Sequence, residues 1–240
     1  MSGVKRSISG TLRYTSNQEH RKGVERGREA FRMDVHRDGS RVIAAHCEID
    51  DDPPVVRDVN LRVDAHNRPC ECFVRIAVGG KFRGSGWFTF TDHEAQCEAN
   101  TTIEGRVSQR YSLERQASAF GNHAIINDAW AMSLYDLSQG PGRQSVFMLL
   151  SSPDHRGATG PMLYPVDLTI EYVGEEDVEV LAGKFRARHF RFLDVGMPEE
   201  HPDYDVWVSA DDDYVLLRAQ VTGYMQTAYE LDSLQVLEHP

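Results

Sequence analysis

The stretch YPVDLTIEYV at residues 164–173 alternates between apolar and polar side chains and predicts a β-strand. Val166, Leu168 and Ile170 fall on one side of an extended chain, and Asp167 falls on the other. A strand with one buried face and one solvated face requires this alternation, because successive side chains point in opposite directions. The stretch therefore favours a β fold.

The same alternation recurs along most of the chain and is interrupted by turn residues. Alternating rows lie at residues 8–14, 31–35, 42–48, 59–63, 70–78, 84–91, 95–103, 107–113 and 214–222. Turn signals separate them at Asp38-Gly39, Gly79-Gly80, Gly174 and 211–213, where the backbone reverses at little steric cost. Short strands joined by short connections indicate sequential antiparallel pairing.

The periodicity changes once, near the middle of the chain. Ile126, Trp130 and Leu134 recur at helical spacing, and Asn122 is a residue type that caps helices. Gly140 and the residues after it end the pattern. We predict one helix between two β halves.

These patterns predict a mainly β fold. We expect a large curved antiparallel sheet or open barrel, lipocalin-like in shape, with one inserted helix. We expect a single domain over residues 1–240, with β halves at about 1–118 and 143–240 joined by a helical segment at 119–142. A curved sheet must fill its concave face with side chains, a helix or a ligand, so we also expect a cavity.

Composition restricts the partners. The formal net charge of −11 opposes nucleic-acid binding, which depends on clustered basic residues. The basic residues between Arg13 and Arg32 are diluted by Glu19, Glu25 and Glu29, and we interpret that region as a solvated strand pair or loop.

The expected compartment follows from two segments that the sequence lacks. No window approaches the roughly 18 apolar residues that cross a bilayer, and the start MSGVKRSISGTLRY has no apolar export core. We therefore expect a cytoplasmic protein without stable membrane insertion.

The four cysteines do not predict a metal site. Cys70 and Cys72 lie on the same face of the predicted strand as Val74 and Ile76, which indicates that this row of side chains faces the core. A zinc site from Cys70, Cys72 and Cys97 would lack the usual two-residue spacers. Reduced thiols, no metal and no cofactor are expected.

Two segments carry a family resemblance. VEVLAGKFRA at 178–187, followed by WVSAD at 207–211, resembles an uncharacterised bacterial β-protein family related in shape to the periplasmic lipoprotein carriers. The resemblance covers about a third of the chain. It implies a half-open antiparallel sheet that wraps a helix and holds an apolar ligand, and it implies no catalytic residue.

Our first functional hypothesis is a protein that binds a small hydrophobic or aromatic molecule in the sheet cavity. Aromatic residues on strands supply the apolar lining that such a site needs, although most aromatic residues on strands belong to the core. A homodimer is left open. The candidate ligand-binding residues are Trp87, Phe90, Tyr111, Trp130, Tyr164 and His46.

The alternative hypothesis is a cofactor-independent lyase, isomerase or hydratase that uses the same cavity. His123 would act as general acid or base, Asp128 would orient it, and Tyr135 would donate a hydrogen bond. A direct His123–Asp128 pair requires His123 to precede the helix. A surface His123 beside a capping Asn122 is the simpler interpretation, and a purely structural or assembly protein is the third.

Overall fold

In a computed structural model, the described residues are 3–114, 117–154, 156–196, 201–223 and 225–240. Fifteen strands within these ranges join one sheet. They are β1 Val4–Ser16, β2 Glu25–His36, β3 Arg41–Ile49, β4 Val55–Val63, β5 Pro69–Val78, β6 Lys81–Phe90, β7 Glu94–Thr101, β8 Gly105–Ser112, β9 Phe120–Gly121, β10 Gly142–Leu150, β11 Tyr164–Val180, β12 Gly183–Leu193, β13 Tyr204–Ser209, β14 Leu216–Val221 and β15 Thr227–Glu238.

The strand order is that of two meanders joined side by side. It runs β8-β7-β6-β5-β4-β3-β2-β1-β15-β14-β13-β12-β11-β10-β9. Neighbouring strands are antiparallel except for the short parallel contact between β9 and β10. The sheet is curved and unclosed, with β8 and β9 at its two edges. The predicted mainly β fold, with a large open antiparallel sheet, is confirmed.

The two meanders meet at a seam between β1 and β15. Arg6 pairs with Glu238 at one end of the seam, and Ser16 pairs with Thr227 at the other. The sequence does not reveal this pairing, because both strands carry ordinary alternation and lie at opposite ends of the chain. The seam makes one continuous sheet of the two halves.

Gly10 lies in this seam, where two strands and an aromatic ring approach its backbone closely. A Cβ atom at Gly10 would lie 2.4 Å from the Ser233 carbonyl oxygen and 2.9 Å from the Phe31 ring. We expect Gly10→Val to lower the free energy of unfolding by about 2 kcal/mol, the usual cost of overpacking a core. Urea denaturation followed by circular dichroism measures it.

The control for this variant is Gly80→Val, which also replaces a glycine but in a hairpin turn with open space around it. Gly80 has a positive φ of 72°, so its substitution tests backbone strain without crowding. Suppose that Gly10→Val lowers the free energy of unfolding and also speeds hydrogen exchange at the amides of β1 and β15. The two results together would locate the damage at the seam. An unchanged denaturation midpoint would contradict the close approach.

One face of the sheet carries the apolar rows. In β2, Phe31, Met33 and Val35 are buried, and the intervening residues form surface ion pairs such as Arg32–Asp34 at 3.0 Å. The alternation predicted from the sequence therefore separates a packed inner face from a charged outer face.

The inserted helix is shorter than the sequence predicts. Helix α1 spans Ile125–Ala131 and continues into a 3₁₀ turn at Met132–Leu134. A separate 3₁₀ turn at Leu137–Gln139 is capped by the Asp136 carboxylate, which accepts a hydrogen bond from the Ser138 N–H at 3.0 Å. That cap competes with one continuous helix. No helix in the described ranges has the length and apolar character needed to span a bilayer.

The predicted turn at Gly174 is wrong. Strand β11 runs through it from Tyr164 to Val180, and its register against β12 shifts between Tyr172 and Gly174. Gly174 has a φ of +147°, a conformation that suits glycine, and it forms a β-bulge rather than a chain reversal. The sequence does not distinguish these two structures, because a glycine within a strand-like pattern is typical of both a turn and a β-bulge.

Candidate functional site

A cavity of about 130 Å³ lies between the sheet and the N-terminal end of α1. Side chains from both meanders line it, since Val55 of β4 and Val221 of β14 face the same space. A cavity of this size is comparable with one that admits benzene. The site is therefore suited to a small molecule.

The wall has an apolar part and a polar part. The apolar part is formed by Ile49, Pro53, Val55, Ile125, Met148, Leu150, Leu168, Phe192, Val195, Val221 and Met225. The polar part is formed by Tyr14, Arg26, Asp51, Arg57, His123, Asp128, Arg156, His201, Tyr204, Thr227 and Tyr229. Such a combination of apolar surface and converging polar groups is typical of ligand sites.

Glu29 fixes the end of α1 that borders the cavity. Its side chain is fully buried, at 0% exposure. The carboxylate accepts hydrogen bonds from the N–H groups of Ile125 at 2.9 Å and Ile126 at 3.0 Å. It also accepts from the Tyr14 hydroxyl at 2.7 Å and the Cys47 thiol at 3.1 Å. Burial and the nearby Glu29 raise the pKa of Tyr14, so the phenol remains a donor.

This carboxylate takes the place of the predicted Asn122 cap. The N-cap residue of α1 is Ala124, which has no capping side chain. Asn122 instead accepts hydrogen bonds from the Ala124 N–H at 3.2 Å and from the Asn127 amide at 2.9 Å. The prediction that Asn122 caps the helix is therefore wrong. The N–H groups at the start of α1 that have no partner within the helix donate to the Glu29 carboxylate of β2 instead.

Glu29 belongs to a polar row on the inner face of the sheet. It pairs with Cys47 across β2 and β3, and Cys47 pairs with Arg57 across β3 and β4. Glu29 and Arg57 are thus two strand spacings apart, ~10 Å between backbones. Burial, and then the charge of Glu29, raise the pKa of the Cys47 thiol, so it stays protonated between them.

Arg57 connects the cavity wall to the loop after β10. The side chain is 1% exposed. Its guanidinium donates to the backbone carbonyl oxygens of His123 at 2.6 Å, Arg156 at 2.5 Å and Gly157 at 3.3 Å. A Cβ at Gly157 would lie 2.7 Å from Arg57 Nη2 and from the His123 ring. Glycine therefore allows the loop to close directly over these two side chains.

Asp128 is the one residue of α1 that is only partly buried, and it borders the cavity. It accepts a hydrogen bond from the Tyr204 hydroxyl at 3.1 Å. Burial raises the pKa of Asp128 to about 7, and Glu29 adds to the increase, whereas Tyr204 and Arg57 oppose it. A carboxyl group with a pKa near 7 has the acid strength that proton transfer near neutral pH requires.

The structure brings together two of the three predicted catalytic residues. His123 and Asp128 both line the cavity, and His123 precedes the helix, which begins at Ile125. The hydrogen bond to Asp128 comes from Tyr204. Tyr135 lies outside the lining, because its hydroxyl donates to the Gly140 carbonyl at 2.7 Å and its ring packs against Phe190.

The predicted ligand-binding aromatic residues lie elsewhere. Trp130 is fully buried in the core and Phe90 packs against Phe120 at 5.0 Å. Tyr111 stacks on Phe147 at 6.2 Å, and Tyr164 is partly buried at the start of β11. None of these four lines the cavity. They are core or near-core residues, the usual place for aromatic side chains on strands.

Two further candidates face outward. Trp87 is 53% exposed, because it lies on the opposite parity to the buried Phe88. His46 is exposed beside Asp58, with 2.7 Å between Nδ1 and the carboxylate. The hydrogen bond with Asp58 raises the pKa of His46. Both residues belong to the outer face of the sheet.

The most deeply buried polar residues of the site were missed, although the sequence contains a signal for them. Glu29 shares the parity of Phe31, Met33 and Val35, and Arg57 shares the parity of Val55, Val59, Leu61 and Val63. A charged residue on an apolar row marks a buried charge, and buried charges are held by specific partners. The tyrosines at 14, 204 and 229 carry no comparable signal.

The cysteines and carboxylates form no metal centre in the described part of the chain. No cluster of three or more His, Cys, Asp or Glu side chains is arranged to hold an ion there. Cys47, Cys72 and Cys97 are buried free thiols, and Cys70 is partly buried. Burial raises the pKa of Cys97 to about 12, which makes it an inert core residue.

Comparison with known proteins identifies the fold. No family model and no curated protein matches the chain. It is similar in structure to a β-barrel-like protein of the domain of unknown function DUF1849 from Brucella abortus, with 12% identity, 98% of each chain covered and a TM-score of 0.58. The predicted likeness to uncharacterised bacterial β-proteins is confirmed at the level of the fold.

Weaker similarities extend to two other bacterial proteins. One is a DUF1089 family protein from Pseudomonas aeruginosa, with 12% identity, 82% of this chain and 90% of that chain covered, and a TM-score of 0.42. The other is a protein with a YmcC-like fold from Bacteroides fragilis, with 9% identity, 97% and 96% covered, and a TM-score of 0.33.

Proposed function

We propose that the protein binds a small, mostly apolar molecule in the cavity between its curved sheet and α1. The single observation that carries this proposal is the cavity of about 130 Å³, whose wall combines aliphatic side chains with hydroxyl, carboxyl and guanidinium groups. An apolar body would be held by Met148, Leu150 and Leu168. The polar groups would fix its orientation.

The open β-barrel-like fold agrees with this proposal. In such a sheet the concave face is either filled by side chains or left as a space for a ligand. Here α1 and the core residues fill part of the face, and the cavity is what remains beside Asp128. A cavity of this size favours ligands about as large as benzene, and the binding energy of such small ligands is at most about 1.5 kcal/mol per non-hydrogen atom.

We expect toluene, phenol and benzyl alcohol to bind, and Val221→Phe to abolish their binding by filling the cavity. Val221 is 7% exposed and lines the cavity. Saturation-transfer NMR suits this measurement, because it detects weakly bound ligands and does not require a tryptophan in the cavity wall. Competition between the three compounds would show that they share one place.

The matched control is Val236→Phe, the same substitution at a residue of β15 that is 52% exposed. It should bind the compounds as the unmodified protein does. Equal signals from the protein and from folded Val221→Phe would place any binding outside the cavity. Absence of binding by all three compounds to the unmodified protein would overturn the proposal.

A second candidate function is cofactor-independent proton transfer to or from the bound molecule. The observation that favours it is the Asp128 carboxyl group in the cavity wall, hydrogen-bonded to Tyr204 at 3.1 Å. A lyase, isomerase or hydratase needs only one or two such groups. With small alkenes and secondary alcohols supplied as substrates for hydration and dehydration, product NMR signals that appear with the protein and disappear with Asp128→Asn would distinguish an enzyme from a binding protein.

A further inference from the structure

The charged residues of the cavity wall differ in whether a counter-ion is near. Arg26 forms an ion pair with Asp51 at 2.6 Å. Arg156 lies 3.8 Å from Asp154. Arg57, by contrast, has no carboxylate within 4 Å in any of the described segments. It is the most deeply buried of the three cations.

The hydrogen bonds of Arg57 engage its terminal nitrogens without neutralising its charge. Three backbone carbonyl oxygens accept from its two terminal nitrogens. Its Nε is buried, with no hydrogen-bond partner within the described ranges. Carbonyl dipoles stabilise a cation only partly, and a buried charge without an opposite charge is costly. An anion in the cavity would remove this imbalance.

Among the described residues, the acidic groups closest to Arg57 do not provide that anion. Glu29 is two strands away, and its carboxylate already accepts hydrogen bonds from Tyr14, Cys47 and the first N–H groups of α1. Asp128 provides no counter-charge to Arg57 within ion-pair distance and instead accepts a hydrogen bond from Tyr204, and burial disfavours its charged form. Asp51 also lines the cavity, and its carboxylate is paired with Arg26 at 2.6 Å. The remaining polar groups of the wall are Tyr14, His123, Arg156, His201, Tyr204, Thr227 and Tyr229.

We infer that the ligand of the cavity is a small apolar monocarboxylic acid, bound as its anion with the carboxylate beside Arg57. This inference rests on the proposed function and specifies the class of ligand. Its hydrocarbon part would lie against Met148, Leu150 and Leu168 on the apolar wall. A guanidinium is the side chain best suited to a planar carboxylate. A protonated Asp128 can donate a hydrogen bond to the same anion.

The test compares three probes of one shape and different charge, which are benzoate, benzyl alcohol and benzylamine. Their dissociation constants are measured by NMR titration of the full chain at pH 7.5 and low salt. We expect benzoate to bind at least tenfold more tightly than benzyl alcohol, and benzylamine to bind most weakly. High salt should weaken benzoate binding while leaving benzyl alcohol unchanged, because only the charged probe depends on electrostatics.

Variants of Arg57 assign the preference to this residue. Arg57→Met should bring benzoate down to the affinity of benzyl alcohol, and Arg57→Lys, which keeps the charge, should retain part of the preference. Arg75→Met is the matched control, because it removes an exposed cation that lies outside the cavity and is paired with Asp58 at 3.2 Å. If Arg57→Met does not fold, the ranking of probes on the unmodified protein still decides.

The outcomes separate this inference from the proposed function. Equal binding of benzoate and benzyl alcohol, or tighter binding of benzylamine, would overturn the carboxylate assignment and leave the binding cavity in place. A benzoate preference that survives in folded Arg57→Met would also overturn it. No binding of any probe would overturn the proposed function itself.

Discussion

Glu29→Gln should lower the free energy of unfolding by about 3 kcal/mol, the loss expected when a buried charged acceptor no longer matches its donors. Two backbone N–H groups, a phenol and a thiol all point at the Glu29 carboxylate. A glutamine amide presents its own N–H₂ to part of this set, so donor would face donor. The substitution keeps the size of the side chain and changes only its hydrogen-bonding character.

Urea denaturation at pH 7 measures this loss, and Glu25→Gln is the control on the same strand. Glu25 is exposed and pairs with Arg28 at 2.9 Å, and surface pairs of this kind contribute little. Hydrogen exchange at the Ile125 and Ile126 amides should accelerate in Glu29→Gln alone. Comparable midpoints for the two variants would show that Glu29 does not hold the helix.

Asp128 should make the protein less stable as the pH rises from about 4 to about 8. Its folded-state pKa of about 7 exceeds its ordinary value of 3.8, so between these values the folded protein binds a proton that the unfolded chain has released. Protonation then favours the folded state, and this contribution is lost as the pH passes through 7. The loss is at most about 4 kcal/mol.

The measurement is the difference in unfolding free energy between the unmodified protein and Asp128→Asn across this pH range. Asparagine cannot ionise and still accepts a hydrogen bond from Tyr204, so the difference should change in favour of the variant as the pH rises. Asp136→Asn is the control, because hydrogen bonds from Ser138 lower the pKa of Asp136 and place its titration below this range. A constant difference for Asp128→Asn would contradict the burial of its charge.

The sequence predicts the strands well, because the alternation of apolar and polar residues within each strand shows which of its faces is buried. The alternation of Val166, Leu168 and Ile170 with polar residues reappears as the inner and outer faces of β11. The bulge at Gly174 and the short α1 are less predictable, since each depends on a competing interaction elsewhere in the chain. The β1–β15 seam depends on a partner at the other end of the sequence and leaves no local trace.

The candidate site is only partly predictable from the sequence. His123 and Asp128 do line the cavity, because one lies just before α1 and the other within it, at the end of the helix that borders the cavity. The aromatic residues were assigned by composition, which does not distinguish a packed core from a ligand wall. Glu29 and Arg57 break the apolar parity of their strands, so attention to parity would have found them.

The seam between β1 and β15 sets an order on biosynthesis. Strand β1 is synthesised before every other described strand of the sheet, and it gains its second neighbour only when β15 has been made. Until then the N-terminal meander exposes the edge of β1, including Ile8 and Leu12, which are buried in the finished sheet. Nascent chains arrested before Thr227 should therefore depend on chaperones and be degraded rapidly, whereas chains that include β15 can close the seam and cover the edge of β1.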